Sequence, residues 1–133
     1  MRKQLTQTEK EQITNGYSKM LKTDKWNHFI TVRLNYKTTD NTVKKVSEKV
    51  FKKLDGLDKL FYVGERDMLD KDNKHIHILT KETYSTEKLE KKLKTILNNS
   101  DTMKVERVNS NESVCNYLCK NMYNDLQWDI LNN

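Results

Sequence analysis

The sequence predicts an α+β fold in which helices pack mainly on one face of an antiparallel sheet. Four short segments alternate apolar and polar residues with the period of two that is typical of strands: 27–36, 59–66, 74–80 and 102–108. These segments are also rich in the β-branched and aromatic residues that favour strands. Between them, apolar residues recur at helical spacing behind residues that can cap a helix.

Helical spacing predicts helices after Asp40, after Ser85 and after Asn109, the last running to about Met122. A further helix is predicted over 6–23, ahead of the first strand. Without it, the order of elements is β, α, β, β, α, β, α. This is the split β-α-β pattern of ferredoxin-like and RRM-like folds.

We expect residues 1–133 to form one domain, because this length can bury an ordinary hydrophobic core. Its parts would be the core at about 27–124, the N-terminal helix at about 6–23 and an aromatic tail at 125–133. The apolar residues of that tail either pack on the body or promote self-association, so a homodimer is among the expected partners.

The charge balance favours a polyanionic partner, with nucleic acid first, because 25 Lys and Arg face 19 Asp and Glu. No apolar run approaches the ~20 residues that span a membrane, and the polar N-terminus lacks a signal peptide. We therefore expect a cytoplasmic protein of a host cell without a membrane partner. Cys115 and Cys119 are four residues apart in a predicted helix, which favours buried thiols over a disulfide.

Two histidines share one face of the strand 74–80. The period of two directs Ile76 and Ile78 to the core and places His75 and His77 together on the other face, about 6–7 Å apart. Glu65 lies near the end of the preceding strand of the predicted hairpin and would lie beside them. Two imidazoles, one carboxylate and open water positions suit an exposed Mg²⁺ or Mn²⁺ ion that can still bind a phosphate oxygen.

Other interpretations of this stretch stay open. Asp67, Asp70 and Asp72 are rival carboxylates in the loop between the two strands. A strand whose exposed face carries two histidines without any metal would show the same alternation.

Tyr117 and Lys120 lie on the polar sector of the last predicted helix, opposite Cys115, Leu118 and Cys119. A phenol is a poor nucleophile near its ordinary pKa of about 10, and a nearby cation or metal-bound phosphate favours the phenolate. The alternative is an exposed tyrosine beside a solvated lysine, which is usual for a single pair of this kind.

These motifs carry a resemblance to a known family. His75-Ile76-His77 resembles the His-hydrophobe-His motif of HUH endonucleases. Tyr117-Leu118-Cys119-Lys120 resembles the Tyr-x-x-Lys motif of their single-tyrosine replication initiators (Rep), found in rolling-circle plasmids and single-stranded DNA viruses. Residues 29–33 look like the first strand motif of the family, and Val63-Gly64-Glu65 is similar to the position of a third, acidic ligand. The order, histidines before tyrosine, is that of Rep proteins.

The resemblance implies metal-dependent nicking and rejoining of single-stranded DNA at a replication origin. Tyr117 would attack the scissile phosphate and form a 5′-phosphotyrosine, with metal on His75, His77 and Glu65. Lys120 would neutralise charge on the phosphate. A host or partner helicase and polymerase would unwind and copy the DNA, since these residues contain no helicase domain. Base contacts are expected from the sheet face and basic loops, with Arg33, Lys37 and Arg107 as candidates.

Three alternatives remain. An RRM-like module would hold single-stranded nucleic acid without cutting it, stacking bases on Phe29, Phe61 and Tyr62. A small HUH transposase would share the histidines but usually lacks the Tyr-x-x-Lys spacing. A structural or regulatory protein would leave the histidine pair without a role.

Overall fold

From α1 to α4, helices and strands follow one another in the order that the sequence predicts. The computed structural model describes residues 4–66, 74–97, 100–124 and 126–133. Its elements are α1 (Gln7–Leu21), β1 (His28–Leu34), α2 (Asp40–Lys53), β2 (Lys59–Arg66), β3 (Lys74–Lys81), α3 (Thr86–Ile96), β4 (Ser100–Arg107), α4 (Asn111–Cys119) and β5 (Trp128–Asn132). A short 3-10 helix, Met122–Asn124, follows α4. In this part of the chain, no helix combines the length and apolarity needed to cross a membrane.

The strands form one antiparallel sheet in the order β4-β1-β3-β2-β5. The predicted α+β class is confirmed, and the order of the first four strands is consistent with a ferredoxin-like fold. The fifth strand was not predicted. It comes from the tail, which packs on the body by pairing Trp128–Asn132 with β2.

One face of the sheet carries the larger core, beneath α2 and α3. Alternate strand residues point into it, and the helices add their apolar stripes: Ile30, Val32, Leu60, Tyr62, Ile76, Ile78, Val43, Val46, Val50, Leu89 and Leu93. The N-caps are Thr39 for α2 and Ser85 for α3, and each side chain accepts a backbone N–H of the first turn. Asp40, the predicted cap of α2, is instead its first residue.

The opposite face is partly covered by α1 and α4, so two helices lie on each face rather than most on one. The reason is visible in β2, where Leu60, Phe61, Tyr62 and Val63 are apolar without alternation and buried on both sides. Phe61 and Val63 pack with Leu79 against the apolar sides of α1 and α4. The remainder of this face, along β3, β1 and β4, forms an open cleft beside α4.

Hydrogen bonds and buried thiols hold α4 against the body. Asn111, the first residue of α4, accepts the Trp26 backbone N–H and donates to the Asp24 carbonyl oxygen. Cys115 and Cys119 are buried free thiols, as predicted, and burial raises their pKa values to about 11 and about 12. Both sulfurs therefore stay protonated at neutral pH, and these residues act in packing.

Candidate active site

The candidate site is a cleft of about 490 Å³ between the open part of the sheet and α4. Strands β1, β3 and β4 form its floor, and α4 forms one wall. Its lining residues are Phe29, Thr31, Arg33, His75, His77, Lys104, Glu106, Ser113, Val114 and Tyr117. The cleft therefore combines imidazole, cationic, acidic and phenolic side chains.

Glu65, His75 and His77 come together, as the sequence predicts, and the two histidines line the cleft. Glu65 lies directly opposite His75 in the antiparallel register of β2 and β3. One donor atom from each of the three residues lies within 4.8 Å of the other two, and the cluster is the one such group among the described residues. The carboxylate atom Glu65 Oε2 lies 2.9 Å from His77 Nε2 and 3.9 Å from His75 Nε2.

His77 is held in place by its surroundings. It is 4% exposed, and its Nδ1 lies 3.4 Å from the hydroxyl of Thr31, its cross-strand partner on β1. The other ring nitrogen, Nε2, has no well-aligned hydrogen bond to any described group, although Glu65 is close. A buried nitrogen in this state is suited to bind a cation, with Nδ1–H donating to Thr31 as a supporting contact.

The electrostatics of Glu65 favour its ionised form. The pKa of this carboxyl is lowered by its contact with His77 and by the charges of His77, His75 and Lys120, whereas burial acts in the opposite direction. Glu65 is therefore a carboxylate at neutral pH. Lys120, the C-cap residue of α4, contributes least to this lowering, and it lines a separate groove that also contains Tyr123.

The donor set fits a divalent cation that keeps open positions. Two imidazole nitrogens and one carboxylate oxygen are three protein ligands, whereas a structural zinc site uses four. His75 and Glu65 are only half-buried and the cluster opens on the cleft, so water or a substrate oxygen could complete the coordination. Residues 67–73, which include the rival ligands Asp67, Asp70 and Asp72, lie outside the described residues.

Tyr117 projects from α4 into the same cleft. It is 46% exposed, and its ring centroid lies 6.1 Å from that of His77 and 6.2 Å from that of Phe29. The Lys120 ammonium lies 4.0 Å from the Tyr117 ring centroid, as a cation–π pair one turn further along. The predicted polar sector of α4 thus places the phenol beside the ligand cluster.

The other five tyrosines are all among the described residues, and they lie outside the lining of the cleft. Tyr36 is 47% exposed just after β1. Tyr62 is buried, which raises its pKa, and it accepts a hydrogen bond from Gln127. Tyr17 packs edge-on against Trp128, and the Tyr84 hydroxyl donates to the Asp55 carbonyl oxygen. Tyr123 lies in a separate groove, where the Lys10 ammonium is 5.0 Å from its ring centroid.

Of the three residues predicted to contact bases, one lines the cleft and two lie elsewhere. Arg33 lines the cleft. Arg107 does not, because it is the register partner of His28, whose side chain points into the opposite face toward Glu82 and Thr86. Lys37 is exposed in the connection between β1 and α2 and is not among the cleft residues.

Sequence reasoning missed Thr31, Lys104 and Glu106, which line the cleft from β1 and β4. Thr31 is two residues before Arg33, so strand alternation alone places both on one face. Lys104 and Glu106 need the register as well, since they oppose Thr31 and Phe29. They also form an ion pair with an N–O distance of 2.7 Å.

The aromatic residues proposed for base stacking are mostly inaccessible. Phe61 is 0% and Tyr62 is 1% exposed, each on a different face of the sheet. Phe29 is half-buried and borders the cleft beside Tyr117. Two of the three residues required by an RRM-like stacking surface are therefore unavailable to bases.

No protein-family model, curated protein or solved structure matches this chain significantly.

Proposed function

We propose that this protein is a metal-dependent endonuclease that nicks and rejoins single-stranded DNA through Tyr117. The reaction is the one implied by the resemblance of its motifs to single-tyrosine HUH replication initiators. In that role it would act at the replication origin of a plasmid or virus, together with a host or partner helicase and polymerase.

One observation carries the proposal: the ligand cluster and the exposed phenol open on the same cleft. The cluster joins β2 and β3, whereas Tyr117 comes from a helix that lies far along the chain. The ring centroids of His77 and Tyr117 are nevertheless only 6.1 Å apart. Attack on a phosphate requires the nucleophile within about 3–3.5 Å of the phosphorus, so a nucleophile and a metal site that share one cleft meet the first condition for this reaction.

The roles of the residues follow from their positions. Glu65, His75 and His77 would hold Mg²⁺ or Mn²⁺, which supplies Lewis-acid polarisation of the scissile phosphate when bound. Lys120 caps the C-terminal end of α4, and its ammonium, 4.0 Å from the Tyr117 ring centroid, would neutralise charge on the phosphate. Arg33 and Lys104 can contact neighbouring phosphates from the floor of the cleft.

The reaction is a transesterification. The Tyr117 oxygen forms a bond to phosphorus, and the bond between phosphorus and the 3′ oxygen breaks. The phenol proton passes to solvent, and the 3′ oxygen takes up a proton to become a free hydroxyl. Because one phosphodiester replaces another, attack by a 3′ hydroxyl on the phosphotyrosine reverses the step and rejoins the strand.

The proposal is tested with a pool of random single-stranded oligonucleotides and Mn²⁺. We expect a protein–DNA adduct that survives denaturation and carries a label placed at the 3′ end. A 5′ label should instead appear on a free fragment. No adduct with any pool, or an adduct that carries the 5′ label, would contradict the proposed chemistry.

The double variant His75→Ala/His77→Ala separates the metal role from folding. It should lose the Mn²⁺-dependent adduct while circular dichroism shows a folded protein. Glu106→Gln is the matched control, because this residue lines the cleft but is not part of the ligand cluster. A folded double variant that forms the adduct at the normal rate would exclude the metal site.

A further inference from the structure

The positive charge of this protein is concentrated away from the candidate active site. Helices α2 and α3 together contain nine lysines and four acidic residues, a net charge of +5, whereas the whole chain has +6. Both helices cover the face of the sheet opposite the cleft. The rest of the chain is therefore nearly neutral, and the basic character that favours a polyanion resides on this side.

The folding of the two helices explains why these lysines share a surface. The apolar stripes of α2 and α3 are buried against the sheet, so their lysines point outward. All are exposed except Lys92, which is half-buried; we call them the lysine face, and it consists of Lys44, Lys45, Lys49, Lys52, Lys53, Lys88, Lys91, Lys92 and Lys94.

The acidic residues on these helices neutralise the positive charge of the lysine face only in part. Asp40 and Glu87 lie in first turns, where a negative charge stabilises the helix. Asp40 also pairs with Lys74 of β3, and Glu90 pairs with Lys94 of the lysine face. Glu48 lies with four lysines around a shallow groove on α2. Most lysines of the lysine face, all of which lie within the described ranges, therefore form no ion pair with an acidic residue of their own helix.

We propose that the lysine face binds the phosphate backbone of double-stranded DNA without reading its sequence. Duplex DNA carries one negative charge per about 1.7 Å, so the ~21 Å length of α2 spans about a dozen phosphates. This contact goes beyond the proposed nicking reaction, because it uses the other face of the sheet and a different form of DNA.

The same surface is unsuited to a single strand. Single-strand binders combine charge with exposed aromatic rings on which bases stack. Two half-buried aromatic residues lie beside the lysines. Phe51 of α2 packs against the core, and the Tyr84 ring already has the ammonium groups of Lys88 and Lys92 at 5.9 and 5.7 Å from its centroid. The Tyr84 hydroxyl is bonded to the Asp55 carbonyl oxygen. The lysine face thus offers charge without stacking.

The test measures binding of a labelled duplex as a function of salt, in a Tyr117→Phe background that prevents covalent capture. Each lysine that contacts a phosphate contributes about 0.9 to the slope of log affinity against log salt. Lys45→Gln/Lys49→Gln should therefore lower that slope by about 2 and weaken binding at least about tenfold at 0.1 M salt. Lys19→Gln/Lys25→Gln is the matched control, since it removes two exposed lysines from elsewhere.

The outcomes separate this proposal from the proposed reaction. Loss of duplex binding by Lys45→Gln/Lys49→Gln, with the control unaffected, supports the lysine face whether or not the protein nicks DNA. If both double variants lose duplex binding equally, the loss reflects only the lower net charge of the protein, and the proposal is overturned. It is also overturned if a single strand of the same length depends equally on these lysines. With Tyr117 intact, the Lys45→Gln/Lys49→Gln variant should still nick a short oligonucleotide at the normal rate.

Discussion

Glu65 lies directly opposite His75 in the register of β2 and β3, although ten residues separate them in the sequence. The hairpin thereby places a carboxylate beside the two imidazoles of β3, with Glu65 Oε2 2.9 Å from His77 Nε2. Because register fixes this arrangement, the ligand cluster is built on strands rather than on a loop. Strands would hold the proposed metal site in place more rigidly than a loop would.

Glu65→Gln tests the contribution of the carboxylate to metal binding. The change keeps the size of the side chain and removes its charge, so Mn²⁺ affinity should fall by about 10–100-fold. Isothermal titration calorimetry measures this directly. Glu106→Gln, in the same cleft but outside the cluster, should bind Mn²⁺ normally. Unchanged affinity in Glu65→Gln would transfer the third ligand to another group.

Gly64→Ala tests the packing that supports Glu65. A Cβ at position 64 would lie 2.8 Å from Cγ2 of Val43, a stiff and fully buried side chain of α2. Since α2 would have to shift away from the sheet, we expect a loss of about 1–3 kcal/mol in the free energy of unfolding. Urea denaturation measures this loss. Gly16→Ala is the control, because a Cβ there meets nothing within 4 Å, and it should not destabilise the protein.

Asp24→Asn tests a contact that anchors the connection between α1 and β1. Asp24 pairs with Lys59 at 2.7 Å and with Lys81 at 3.2 Å. The hydrogen bond from Lys59 lowers its pKa below 3.8, aided by Lys81 and opposed by burial. A carboxyl group whose pKa is lower in the folded than in the unfolded state stabilises the protein at pH values above its unfolded pKa. This stability is lost as the pH falls through the folded pKa.

Asp24→Asn should therefore be less stable than the parent at pH 7, by about 1 kcal/mol or less given the partial exposure of the pair. The difference should shrink as the pH falls below 3.8, the ordinary value for Asp24. Urea denaturation at a series of pH values tests both points, with the exposed Asp58→Asn as control. If the difference in the free energy of unfolding stays unchanged at low pH, the loss of stability comes from the introduced amide and not from the lost charge.

The elements and the ligand cluster could be predicted from the sequence because local patterns determine them. Alternation places Ile76 and Ile78 in the core with His75 and His77 opposite, and one short hairpin brings Glu65 to them. These inferences need only neighbouring strands.

The remaining features depend on contacts between distant segments. The position of Arg107 on the far face follows from its register with His28, which alternation within β4 does not determine. The close approach of Val43 to Gly64 depends on how α2 crosses the sheet. Strand β5 has weak alternation and only half-buried or exposed residues, so it is recognised as a strand by its pairing with β2.

Lys120→Gln tests whether the charge next to Tyr117 acts in the reaction. Lys120 is exposed and lies over the Tyr117 ring, so its replacement should leave stability within ~0.5 kcal/mol. The single-turnover rate of adduct formation should fall by about 10²–10³-fold, as for loss of one group that stabilises developing charge. Lys120→Arg should restore most of the rate. If Lys120→Gln reacts normally, the pair is only a surface contact.

Tyr117→Phe removes a single oxygen from the exposed ring of the cleft. Because Tyr117 is 46% exposed, the free energy of unfolding should change by no more than ~0.5 kcal/mol. Binding of single-stranded DNA should persist, since it depends on the charges of the cleft, such as Arg33 and Lys104, rather than on the phenol oxygen. The covalent adduct and the nick should disappear together, because both need that oxygen.

Tyr123→Phe is the matched control for the nucleophile. Tyr123 follows in the 3-10 helix after α4, but it lies in a different groove, beside Lys10, and not among the residues of the cleft. Denaturing gels of both variants with a labelled oligonucleotide should show an adduct for Tyr123→Phe and none for Tyr117→Phe. The reverse pattern would assign the nucleophile to Tyr123. An adduct in both variants would show that neither phenol is essential and would remove the chemical basis of the proposed nicking reaction.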